Sequence, residues 1–291
     1  MGNCCAPGSG RGDGRGGAYV QMGAKAPSKA QQQQQAQTWS KTGIVGLRDQ
    51  GIKELPTVLS DISDAVKVID ATNNRITALP AFLPSLANLQ RLTLTNNLLT
   101  VLVPPGVCPG LISLKLLVLD DNQLGDLPDD IGALKRLERL SVSGNRLRTL
   151  PDSIGQLEAL QSLVVSRNCL EQLPDSLAGC SRLEELDAQS NDLAVVPAAL
   201  GGLKRLKALQ LDNNRVFAVP SDLLYGCVAL QTLSLHGCPI KPDELQETPG
   251  FKEFDERRKQ KYDKVLAGGA LLGARGLDEG VDREVSPPRP R

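Results

Sequence analysis

The sequence predicts an α/β solenoid, a horseshoe of about nine turns lined on its concave side by one parallel sheet. Three observations predict it. The pattern L-x-x-L-x-L-x-x-N-x-L-x-x-L returns in eight segments. Its asparagine falls at Asn74, Asn97, Asn122, Asn145, Asn168, Asn191 and Asn214, with steps of 23, 25, 23, 23, 23 and 23 residues. Hydrophobic residues make up 41% of the chain but aromatics only 3%, so the core is aliphatic and repetitive. Scattered leucines in a helical protein would not keep such a beat.

Each element follows in order. Residues 1–38 are Gly-rich, then Gln-rich at Gln31 to Gln35, and are expected to be a disordered basic tether. Residues 39–248 are the solenoid. Within each turn the L-x-L stretch is a short strand whose alternate side chains point into the core and out to the concave face. The asparagine comes where the chain leaves the strand, and its amide can satisfy backbone groups that a tight turn buries. Proline then follows leucine, as at Leu150-Pro151 and Leu173-Pro174, and ends the strand because it cannot donate to a ladder. The convex side takes a turn or short helical piece, as over Asp129–Leu134. The 25-residue interval holds Pro104, Pro105, Gly106, Pro109 and Gly110 and predicts a bulged convex loop. Gln50 before the series and Cys238 after it take the asparagine's place in degenerate end turns. Residues 249–266 have helical spacing and are expected to cap the last turn; 267–291 are expected to be a disordered tail.

Outward strand positions form the candidate partner-binding face: Arg91, Leu116, Val118, Asp120, Arg139, Val164, Arg167, Glu185, Asp187, Gln210 and Asp212. Leu116, Val118 and Val164 form an apolar patch beside an acidic strip at Glu185, Asp187 and Asp212, all expected to point to solvent. Residues 42–250 carry 18 basic and 24 acidic side chains, a balance that argues against nucleic acid. No catalytic constellation or phosphate-binding loop is present. His236 and Cys238 are too few for a metal site, so neither cofactor nor metal is expected. The seven cysteines bracket no repeats as disulfide caps would, and no signal peptide precedes them, which points to a reducing compartment. Cys180 and Cys227 stand where sister repeats carry Leu134 and Leu203, and read as small buried hydrophobes.

The chain opens Met1-Gly2-Asn3-Cys4-Cys5. Removal of Met1 exposes Gly2 to N-myristoylation, and Cys4 and Cys5 are adjacent palmitoylation candidates, although Ala6 stands where Ser or Thr is usual. One myristoyl chain gives marginal binding, K on the order of 10⁴ M⁻¹, so stable attachment needs the second signal. Residues 1–41 add five basic side chains against Asp13 alone, a net charge of +4 that favours an anionic leaflet.

Two terminal segments carry a resemblance. Trp39-Ser-Lys-Thr42-Gly-Ile-Val-Gly-Leu47-Arg-Asp49 and Phe254-Asp-Glu-Arg-Arg-Lys-Gln-Lys-Tyr262-Asp-Lys264 resemble a group of small plant proteins similar to leucine-rich repeat-containing protein 57. The 23-residue repeat is similar, more distantly, to the plant intracellular Ras-group-related leucine-rich-repeat proteins. The resemblance implies a leucine-rich-repeat horseshoe serving as a cytoplasmic-side scaffold, with no catalytic residue to carry over. The expected molecule is a monomeric adaptor in signalling, anchored to the cytoplasmic face of the plasma membrane and binding protein partners. A small GTPase, a kinase or a phosphatase are the partner classes expected; the competing expectation is a regulatory subunit that docks on a phosphatase or small GTPase.

Overall fold

The computed structural model describes residues 29–102 and 108–267, and side chains within residues 34–260 of that span. The L-x-L stretches form nine three-residue strands: β1 (Ile44–Gly46), β2 (Val68–Asp70), β3 (Arg91–Thr93), β4 (Leu116–Val118), β5 (Arg139–Ser141), β6 (Ser162–Val164), β7 (Glu185–Asp187), β8 (Ala208–Gln210) and β9 (Thr232–Ser234). They make one parallel sheet in sequence order. Its register is constant: Leu117 lies opposite Leu140, Leu140 opposite Leu163, and Leu163 opposite Leu186. The central residue of every strand points into the core, where Val45, Ile69, Leu140, Leu163 and Leu209 are fully buried. Burying one such side chain contributes about 1.5–3 kcal/mol. No single repeat encloses its own leucines; the stack does.

Leaving each strand requires a left-handed residue directly before the ladder position. Asp49, Asn73, Asn96, Asp121, Arg167, Ser190 and Asn213 hold φ between 53° and 58° there, and Gly144 and Gly237 take the same place. Asn and Asp accept this region more readily than other side chains. The Leu-Pro step then leads into short 3₁₀ helices on the convex side, including Asp129–Ala133, Asp152–Gln156, Asp175–Gly179 and Ala198–Gly202. Glycines let these helices stack. A Cβ on Gly155 would run into the Ser176 carbonyl oxygen, and one on Gly201 into that of Asp222. The bulged loop predicted before Asn122 falls largely on residues 103–107, outside the described residues; Cys108–Gly110 resume as a 3₁₀ turn.

Helices close both ends. The tether expectation is corrected over residues 29–38. Lys29–Thr42 form helix α1, because Ala and Gln are good helix formers and no Gly or Pro interrupts them. Ala36 and Trp39, three residues apart on one face, are buried. At the other end α2 (Ser221–Gly226) belongs to the eighth turn, and α3 (Pro242–Glu247) and α4 (Phe251–Ala267) follow the ninth. The capping helix therefore starts at Phe251 rather than 249, and ends one residue later than expected. Phe254 is 1% exposed, Arg257 donates to the Leu224 carbonyl at 2.7 Å, and Arg258 lies over the Phe254 ring at 5.7 Å. Gly2, Cys4, Cys5 and the tail beyond 267 lie outside the described residues.

Candidate functional site: the concave face

The ladder asparagines fix the face from beneath. The Asn145 amide nitrogen donates to the carbonyls of Leu119 in the preceding turn and of Val142 in its own, both at 3.0 Å. Its Oδ1 accepts from the Leu124 N–H at 3.0 Å. Asn97, Asn122, Asn168, Asn191 and Asn214 repeat the arrangement. Asn74 donates to Leu47 in the same way, and its Oδ1 accepts from both Gln50 and Ile52. At the last turn the Cys238 thiol takes over the donation, to the Leu211 carbonyl at 3.3 Å. Cys180 and Cys227 are buried free thiols that donate to the carbonyls of Ile154 and Leu200, and burial pushes both up to about 11.

On this frame the outward side chains stand in rows across the strands. The first row runs Arg91, Leu116, Arg139, Ser162, Glu185. Arg91, Arg139 and Glu185 are exposed. The Ser162 hydroxyl, between Arg139 and Glu185, is buried with no hydrogen-bond partner among the described residues. The second row runs Val118, Ser141, Val164, Asp187, Gln210. The expected apolar patch is therefore divided, since Ser141 separates Val118 from Val164 by two strand spacings, about 10 Å.

The expectation that the acidic strip points freely to solvent holds for Glu185 and is corrected for Asp187 and Asp212. Asp212 accepts from the Ser234 hydroxyl at 2.5 Å and the His236 N–H at 2.8 Å. Asp120 does the same to Ser141 at 2.6 Å and the Ser143 N–H at 2.8 Å. Asp187 accepts from the Gln189 N–H at 3.1 Å, and Gln210 accepts from the Gln189 side chain. Lying at the strand ends, these carboxylates meet turn N–H groups before they meet solvent. Ser141, Ser143, Ser162 and Ser166 are buried although their positions point outward; the Ser141 hydroxyl donates to Asp120, and the Ser143 and Ser166 hydroxyls bond each other at 3.0 Å. Arg167 is likewise engaged: it bridges two turns to Asp121 at 3.0 Å and donates to Ser143 at 3.3 Å. Gly144 lies between them, and a Cβ there would meet the Asp121 carboxylate. Of the predicted face, the first row keeps its charged groups available and the lower rows are largely committed to the fold.

Sequence reasoning missed an open groove of about 730 Å³ beside the Leu-Pro steps, lined by Leu150, Pro151, Asp152, Leu173, Pro174 and Asp175 among others. Only the repetition of those steps hinted at it. Among the described residues no three His, Cys, Asp or Glu side chains gather as a metal site would need, and no helix is long and apolar enough to cross a membrane.

An in-register sheet that presents a row of unspent side chains defines a leucine-rich-repeat interaction module. The leucine-rich repeat region family profile matches residues 106–234, and a second leucine rich repeat profile matches residues 64–124. Plant intracellular Ras-group-related LRR protein 7 of Oryza sativa subsp. japonica is 54% identical over 244 residues, 84% of this chain and 92% of its own length. Protein 8 of the same series and organism is 46% identical over 84% of this chain, which spans 65% of that relative. The chain belongs to the plant intracellular Ras-group-related leucine-rich-repeat family. Among solved structures, an internalin from Listeria monocytogenes shares the fold, with a TM-score of 0.58 at 20% identity, over 69% of this chain and 57% of its own. The plant peptide hormone receptor RGFR1, solved in complex with RGF2, has a TM-score of 0.53 at 29% identity, covering 68% of this chain and 36% of its own. The family and the fold are those of protein-interaction modules.

Proposed function

We propose that the protein is a non-catalytic scaffold or adaptor of intracellular signalling, held at the cytoplasmic face of the plasma membrane by myristoylated Gly2 and palmitoylated Cys4 and Cys5. The partner is a protein, and it docks on the first row of the concave face. The observation that carries the docking is the in-register first row, in which Arg91, Arg139 and Glu185 stay exposed while the rows beneath are largely spent on the fold. The relatives carry the word intracellular in their names, which agrees with a protein in which none of the five described cysteines is in a disulfide. The anchor rests on the Gly2, Cys4, Cys5 motif and on the net charge of +4 over residues 1–41. Pull-down with Arg139→Glu combined with Glu185→Lys tests the docking: capture should be lost at an unchanged melting temperature. Retention of the same partners would place the binding face elsewhere.

A further inference from the structure

The two edges of the horseshoe carry opposite charge. On the ascending edge, where the chain climbs from the convex helices to each strand, the backbone itself is bonded from turn to turn. Glu138 N–H donates to the Lys115 carbonyl, Gln161 to Glu138, Glu184 to Gln161 and Lys207 to Glu184. Equivalent residues therefore stand in line. Over residues 111–115, 134–138, 157–161, 180–184 and 203–207 this edge holds seven basic and three acidic side chains. The opposite edge, residues 123–130, 146–153, 169–176, 192–199 and 215–222, holds three basic and eight acidic ones.

The basic groups of the ascending edge divide by use. Lys115 pairs with Glu138 at 3.0 Å, and Lys207 with Glu184. Lys135 donates to the Gln156 carbonyl, and Lys204 to those of Gly201 and Gly226, each at 3.0 Å. Arg136, Arg182 and Arg205 occupy one repeat position, three residues before β5, β7 and β8. All three are exposed and make no hydrogen bond or ion pair among the described residues. One position before that row, Ile112 and Val228 are 60% and 56% exposed at the two ends of the edge.

We propose that this edge is a docking surface for an anionic lipid bilayer, with Arg136, Arg182 and Arg205 on headgroup phosphates and Ile112 and Val228 at the interface. A guanidinium matches phosphate bidentately, and exposed aliphatic side chains beside cations suit the headgroup boundary. The acidic opposite edge is repelled from the same surface, which fixes one orientation and leaves the concave face turned sideways and open. The proposal rests on the reading that the protein works at a membrane, but it does not use the acyl chains.

The test uses the full chain made without acylation, sedimented with vesicles of phosphatidylcholine alone or enriched in phosphatidylserine. Wild type should bind the phosphatidylserine vesicles and lose them as salt rises. Arg136→Glu with Arg182→Glu and Arg205→Glu should weaken this by about tenfold or more, since each basic residue near the surface counts. Arg146→Glu with Arg148→Glu, on the opposite edge, should leave it within about twofold. Equal binding by wild type and the triple variant overturns the proposal. So does an equal loss in the opposite-edge variant, or absence of wild-type binding to both vesicles, which would assign the row to an acidic protein surface. The outcome is separate from acylation, which is read by incorporation of a labelled myristate: Gly2→Ala should abolish it and the three edge substitutions should leave it unchanged, whatever the vesicles show.

Discussion

At the scale of single residues, position in the repeat decides whether a polar side chain is free to act. Asn145 is buried and satisfies backbone groups of two turns, so Asn145→Leu should cost about 1–3 kcal/mol in denaturant unfolding by leaving them unpaired. Glu185 and Asp212 look alike in the sequence, yet Glu185 is exposed and Asp212 braces the next turn. Asp212→Ala should therefore lower the melting temperature, while Glu185→Ala should leave it unchanged. This difference was not legible beforehand: the period of two says which way a residue points, not whether a turn N–H lies within its reach. The buried role of Cys180 and Cys227 was legible, because leucine fills their place in sister repeats. It has a pH consequence. Burial pushes both thiols from an ordinary 9.0 to about 11, so above pH 9 the unfolded chain gives up these protons before the folded one does. Their contribution to stability is full below pH 9 and is lost as the pH rises towards 11. Unfolding midpoints across that window should fall for wild type and fall less for Cys180→Val with Cys227→Val.

At the scale of elements, the strands were legible and the joins between them less so. Leucines at fixed spacing place β3 to β9 directly, since each core position is filled by the same residue class. The convex glycines were not, because their reason is the carbonyl of the next turn, which no local pattern displays. Gly155→Ala should cost about 1–3 kcal/mol as the Ser176 carbonyl is pushed away. Helix α1 was missed because a run of glutamines reads as a linker; what holds it is the burial of Trp39 against the first turn. The C-terminal cap was anticipated, and Phe254 is its anchor. Phe254→Ala should cost about 3–5 kcal/mol, and limited proteolysis should then cut the last turns before the middle ones.

At the scale of the whole molecule, the expected behaviour is set by the two ends and two edges. If Gly2 carries the acyl chain, Gly2→Ala should release a C-terminally tagged protein from membranes washed in high salt, which screens any contact made by the basic edge, whereas Cys4→Ser with Cys5→Ser should leave weak, reversible attachment. Sedimentation of the Gly2→Ala protein wholly with salt-washed membranes would sink that reading. The constant register of the sheet has a mechanical consequence. A molecule fastened at one terminus and loaded through a partner is stretched along its long axis, at right angles to every strand. The inter-strand bonds then carry the force in series, one interface at a time, rather than sharing it as they would under shear. Such a stack opens like a zipper, with rupture moving inward from whichever end bears the load. Each repeat released would lengthen the tether by about 80 Å, the reach of 23 extended residues. Held at one end, the array would therefore yield in nearly equal steps, one repeat at a time.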